Sequence, residues 1–156
     1  MKRVIFAMFM ALIVFFPLYA EPTAPDLDER ATRGLGISAG FIGGNGFSIR
    51  LMPPEKGMGF QAGFIFVSSS GDRFFSMGGE LLGVLKRTDS SALYWLAGMG
   101  VNASGDDSGI GIGAGLGMSF FFGDTRWLCT SIDLPLTLYK DSFMPIPQIA
   151  IHYFYK

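Results

Sequence analysis

The chain has 156 residues, with 12 basic and 13 acidic side chains and a net charge of −1. That balance excludes the basic surface on which nucleic-acid binding depends, so no nucleic-acid partner is expected. Cys129 is the only cysteine, which excludes an intramolecular disulfide and a cysteine-based zinc site.

Lys2 and Arg3 precede an apolar run from Val4 to Phe16, and Pro17-Leu18-Tyr19-Ala20 then offers a small residue at a cleavage position. A charged start followed by 13 apolar residues is too short to cross a bilayer as a helix and reads as a secretory signal peptide over residues 1–20. Residues 21–33 (EPTAPDLDERATR) carry two prolines and six charges and read as a flexible periplasmic leader. All 22 glycines lie from Gly34 onward, a density well above the usual level of about 7%, which argues against helices and begins the folded domain at 34–156.

From Gly34 the pattern of apolar alternation is interrupted at regular intervals by Gly, Asp, Ser, Pro and Lys. Strands are predicted at 34–42, 47–53, 58–69, 73–86, 92–103, 109–122, 127–140 and 144–155. The short connections between them make hairpins, so neighbouring strands should run antiparallel. In the third segment Met58, Phe60, Ala62, Phe64 and Phe66 oppose Gly59, Gln61 and Gly63. In the sixth, Ile110, Ile112, Ala114, Leu116, Met118, Phe120 and Phe122 oppose Gly111, Gly113, Gly115, Gly117 and Ser119. The seventh and eighth set Leu134, Leu136, Ile149 and Ile151 against Ser131, Asp133, Gln148 and His152. Each is the period-two signature of a strand with two unlike environments. The charges within strands, Arg50, Glu80 and Asp133, with Lys86 near an end, all fall on the small or polar face.

A water-soluble barrel with its apolar face inward would have to cover its outside with glycine and serine and very few charges, against the quarter or more expected of such surfaces. The opposite assignment turns a continuous belt of Leu, Ile, Phe, Met and Tyr toward lipid and the ionisable groups inward, which is the pattern of a transmembrane β-barrel. Hydrocarbon offers no partner to a sheet edge, so the sheet must close. The expected fold is all-β: an eight-stranded antiparallel up-and-down transmembrane β-barrel behind a cleaved signal peptide. Eight strands leave an interior that side chains fill, with inward glycines making room for Phe74, Tyr94 and Trp127, so no open aqueous pore is expected. Pro135 lies in the middle of the seventh strand and calls for a bulge.

With its signal peptide, strand count, alternation and aromatic-rich last segment Ile149-Ala150-Ile151-His152-Tyr153-Phe154-Tyr155-Lys156, the region from Gly34 to Lys156 resembles the OmpA/OmpX-type family of eight-stranded outer-membrane barrels. The resemblance implies residence in a bacterial outer membrane. It also implies outer-membrane lipid and the barrel assembly machinery as partners and a polar network filling the lumen; a homo-oligomer is a further possible partnership that the resemblance does not decide.

Arg50, Glu80, Asp133 and His152 are the candidate site residues, converging inside the barrel as a salt-bridged plug, because desolvated charges must pair or neutralise. Ser131, Asp133 and His152 supply the residue types of a hydrolytic triad, but Ser and Asp two apart on one face do not place a histidine between them. The chain is accordingly read as a non-enzyme with no catalytic residue. A single histidine does not make a metal site, and neither metal nor cofactor is expected. The Gly109–Ala114 match to a dinucleotide fingerprint has no helix after it and reads as a glycine-lined strand. The function expected is a structural or interaction role in the outer membrane. The alternatives are a narrow gated channel or transporter and a lipid-modifying enzyme.

Overall fold

The computed structural model describes residues 32–155 apart from 54–55, 70–71, 89, 106 and 123–127. The expected signal peptide, the leader up to residue 31, Trp127 and Lys156 lie outside the described residues. The strands are β1 (Arg33–Ala39), β2 (Gly46–Leu51), β3 (Gly57–Ser69), β4 (Asp72–Arg87), β5 (Ser91–Ser104), β6 (Asp107–Phe122), β7 (Leu128–Tyr139), β8 (Ser142–Pro145) and β9 (Gln148–Tyr155). Each of β1 to β7 pairs antiparallel with the next, and β9 joins β7 to β1 and closes the sheet. The two short pieces β8 and β9 both pair with β7 and together form one stave, so the molecule is an eight-stranded antiparallel closed barrel.

The alternation decides which way each side chain points. Ser48, Arg50, Gln61, Ser76, Glu80, Ser119, Ser131, Asp133, Thr137, Gln148 and His152 are all buried in the interior. Their neighbours in sequence, among them Phe47, Met118, Phe120, Ile132, Leu134, Leu136, Ile149 and Ile151, are exposed on the outer wall. The outside of the barrel is therefore apolar and its inside polar for much of its height. Toward the end that holds the β1 start and the β9 end, the interior becomes apolar, with Met52, Val84, Ala92, Phe121, Cys129 and Phe154 in one cluster.

The strand ladders and the first hairpin each depart from expectation. Pro135 causes no bulge: the register Asp133↔Gln148 resumes as Leu136↔Pro145, three residues later on each strand, with no slip. The Ile146 N–H donates to the Pro135 carbonyl at 3.1 Å. A strand residue presents its N–H and C=O to the same neighbour, so the missing Pro135 donor faces β8 and β9. The ladder to β6 runs past it unbroken, through Ala114↔Leu136, Gly115↔Pro135 and Leu116↔Leu134. The strand opposite carries its own prolines at 145 and 147 and simply opens around residues 146–147, which is why it reads as two pieces.

The bulge lies instead in β4, where the register shifts between Val84 and Lys86 and Leu85 is the extra residue. One extra residue inverts the phase of everything after it. Lys86, expected inward, is exposed, and Arg87 takes the inward place, its guanidinium 4.8 Å from the Phe121 ring centre and donating to the Pro53 carbonyl.

The first hairpin is the other departure. The alternation predicts a first strand as far as Ile42, but β1 ends at Ala39, and Gly40–Asn45 leave the wall and fold into the lumen, where Ile42 is wholly buried. Positive φ at Gly44 (79°) and Gly46 (93°) turns the chain inward and back, a conformation that costs glycine nothing sterically. At the far end of the same mouth, Lys140 (φ 46°) and Asp141 (φ 63°) form the two-residue turn from β7 to β8, one residue earlier than the sequence pattern placed it.

Candidate functional site

The inward face of six strands builds one buried polar layer. Arg50 comes from β2, Gln61 from β3, Glu80 from β4, Tyr94 from β5, Ser131 and Asp133 from β7, and His152 from β9; each is there because it sits on the inward phase of its strand. Arg50 has no solvent exposure at all. Its Nη1 donates to Gln61 Oε1 at 2.7 Å and to Ser131 Oγ at 2.8 Å, and its guanidinium carbon lies 4.9 Å from the centre of the Tyr94 ring. The Tyr94 hydroxyl donates to Asp133 Oδ1, and Gln148 Nε2 donates to Glu80 Oε2 at 3.1 Å. His152 Nε2 and Ser48 Oγ are 2.8 Å apart.

The four residues expected to converge are thus all in the interior, but the hydrogen bonds they make go to neutral side chains rather than to one another. Arg50 Nε and Nη2, Glu80 Oε1, Asp133 Oδ2 and His152 Nδ1 are buried without a hydrogen-bond partner. A buried guanidinium flanked by two carboxyl groups still lowers the cost of burying each, since Coulomb attraction reaches beyond contact distance where the dielectric constant is low. Strand alternation alone does not identify the neutral members of this layer as partners. Gln61, Gln148 and Ser48 lay on the polar phase and were legible as inward; which charge each would serve depends on the stagger between strands, and the pattern does not give that.

Tyr94 fits because Gly117 faces it. A Cβ at Gly117 would lie 2.0 Å from Asp133 Oδ1 and 2.3 Å from Tyr94 Cε2, so any side chain there would displace the tyrosine–aspartate pair. On the outer wall Trp95 lies in the same way over Gly83.

The geometry does not assemble a hydrolytic triad from Ser131, Asp133 and His152. Ser131 Oγ accepts from Arg50, Asp133 accepts from Tyr94, and the histidine pairs with Ser48 instead. The Ser48–His152 distance suits a nucleophile and base, but both residues have no exposure and the histidine Nδ1 has no carboxylate to orient it. Among the described residues, no group of three or more His, Cys, Asp or Glu side chains is placed to hold a metal ion.

Above this layer the lumen is occupied by the inward loop. The Gly43 N–H donates to Gln148 Oε1 at 2.9 Å, Ser38 Oγ donates to the Gly44 carbonyl at 2.9 Å, and Asn45 Nδ2 donates to Ser76 Oγ at 2.9 Å and Asn102 Oδ1 at 3.2 Å. Phe41 packs edge-on against Tyr139 with ring centres 4.8 Å apart. An open depression of about 350 Å³ remains at this mouth, lined by Ala39, Phe41, Asn45, Asn102, Ile146 and Pro147 and by no ionisable side chain. On the rim, Lys140 Nζ donates to both oxygens of Asp107 at 2.9 and 3.0 Å. That hydrogen bond, aided by the opposite charge, holds the Asp107 carboxyl below its usual range and the Lys140 ammonium above its own. Both groups are exposed, so the pair adds little to stability.

No protein-family model matches this chain, and no curated protein matches it.

Proposed function

We propose that this chain is a bacterial outer-membrane β-barrel with a structural or interaction role and a lumen closed by its own side chains. The observation that carries the reading is the inversion of polarity. Arg50, Glu80 and Asp133 are buried while Phe64, Leu116, Leu134 and Ile149 stand on the outer wall, 49–57% exposed. A protein surrounded by water gains by the reverse arrangement, at about 25 cal/mol for each Å² of apolar surface hidden. Surrounded by hydrocarbon, it gains by this one. No helix of the described residues is long and apolar enough to cross a membrane. Strands β3 to β6, at 13 to 16 residues, exceed the roughly 9–11 that suffice at the usual tilt.

The interior favours a sealed barrel over a conducting one. Three layers follow one another along the axis: the apolar cluster around Phe121 and Phe154, the charged layer around Arg50, and the inward loop. The outer membrane, the assembly machinery and a second copy of the chain are the partners this reading carries.

Purified, refolded full-length protein should migrate differently on gels before and after boiling, and in planar bilayers it should show conductance that is small or absent. Reproducible ion-selective channels would replace the sealed barrel with a channel whose selectivity is set by Glu80 and Asp133. Migration unaffected by boiling, together with failure to enter lipid, would remove the membrane reading itself.

A further inference from the structure

We propose that Gly40–Asn45 is a built-in stopper that seats in the lumen on a track of inward glycines, latched to the charged layer through Gln148. The proposal rests on the sealed-barrel reading and assigns its outermost seal to this segment. Four strands contribute the track. A Cβ at Gly63 of β3 would stand 2.8 Å from the Gly43 carbonyl oxygen, and one at Gly78 of β4 would stand 2.3 Å from the Ile42 oxygen. A Cβ at Gly100 of β5 would stand 1.8 Å from the Phe41 oxygen, and one at Gly111 of β6 would stand 2.5 Å from the Phe41 ring. At Gly78 and Gly100 the obstruction is backbone, which cannot rotate aside, and at Gly63 it is the Ser38 hydroxyl oxygen at 2.6 Å together with the Gly43 carbonyl, so the inner wall there follows the loop's main chain.

The contacts are specific as well as close. Gln148 accepts from the Gly43 N–H and donates to Glu80, so one side chain joins the loop to the charged layer. Asn45 closes the loop on itself by accepting from the Gly40 N–H at 3.0 Å while holding Ser76 and Asn102 on the wall. Apart from Phe41 and Ile42, the segment is Gly40, Gly43, Gly44 and Asn45, so few side chains anchor it. It is the part of the interior that can leave without breaking a strand ladder.

The test places a single cysteine on the stopper. With Cys129→Ala removing the native thiol, Ile42→Cys in the refolded full-length chain in detergent micelles should react with a water-soluble maleimide about a hundredfold more slowly than Ser142→Cys on the exposed rim. Adding Gly100→Leu, or Asn45→Ala if Gly100→Leu does not refold, should raise the Ile42→Cys rate about tenfold or more while the gel shift on boiling persists. Ile42→Cys reacting as fast as the rim cysteine would show the loop unseated and overturn the proposal. So would a rate unchanged by either substitution in a folded barrel. These rates need neither a bilayer nor a current, so failure of the membrane reading leaves them interpretable, and their failure leaves the membrane reading intact.

Discussion

Arg50→Met is expected to destabilise the folded barrel by about 3–5 kcal/mol, because it removes the cation from a buried layer that also holds Glu80 and Asp133. The side chain has no access to water and lies between Gln61, Ser131 and the face of Tyr94. Its loss takes a donor from Gln61 and Ser131 as well as the attraction felt by the two carboxyl groups. The triple variant Arg50→Met, Glu80→Gln, Asp133→Asn should recover more than half of the loss, since buried charges replaced together by neutral groups of similar shape leave nothing uncompensated. Urea titration of the refolded proteins, followed by tryptophan fluorescence, measures both. A single variant within about 1 kcal/mol of the native protein, or a triple variant as unstable as the single, would mean that the layer is not held by its charges.

Leu134→Arg should cost about 2–4 kcal/mol when folding is measured into bilayers, whereas Ser108→Lys at the rim should cost little. Leu134 stands in the middle of β7, 57% exposed on the outer wall, and its strand-mates Ile132 and Leu136 share that face. In hydrocarbon an arginine there must drag water or headgroups inward; in water it would be an ordinary surface substitution. Equal effects at the two positions would contradict the depth assigned to Leu134.

Much of this architecture was legible because a strand has period two and the two faces here differ sharply in chemistry. Arg50, Glu80, Asp133 and His152 could be placed inside from phase alone, and the outward belt likewise. What was not legible has specific physical causes. A bulge changes phase without changing composition, so nothing around Leu85 distinguished Lys86 inward from Arg87 inward. The inward loop defeated the alternation for a related reason: Phe41 and Ile42 are adjacent apolar residues, which a strand cannot bury on one face. That break in period, next to Gly43-Gly44-Asn45-Gly46, was the available signal for a turn that buries its own side chains. The interior glycines were visible as a pattern, but they were assigned to making room for aromatic side chains. Gly117 does make room for Tyr94. Gly78 and Gly100 make room for backbone, which no pattern of side chains can announce.

Site-directed labelling in reconstituted vesicles tests most directly whether the apolar wall faces lipid. In a Cys129→Ala background, single cysteines at Ile112, Leu116, Leu134 and Ile151 should react with a lipid-soluble reagent and resist a water-soluble one, while cysteines at Ser131 and Gln148 should not react with the lipid-soluble reagent. Outer-wall cysteines that react freely with the water-soluble reagent, with the protein left outside the vesicles, would contradict the lipid-facing assignment and make this a water-soluble barrel with an apolar coat.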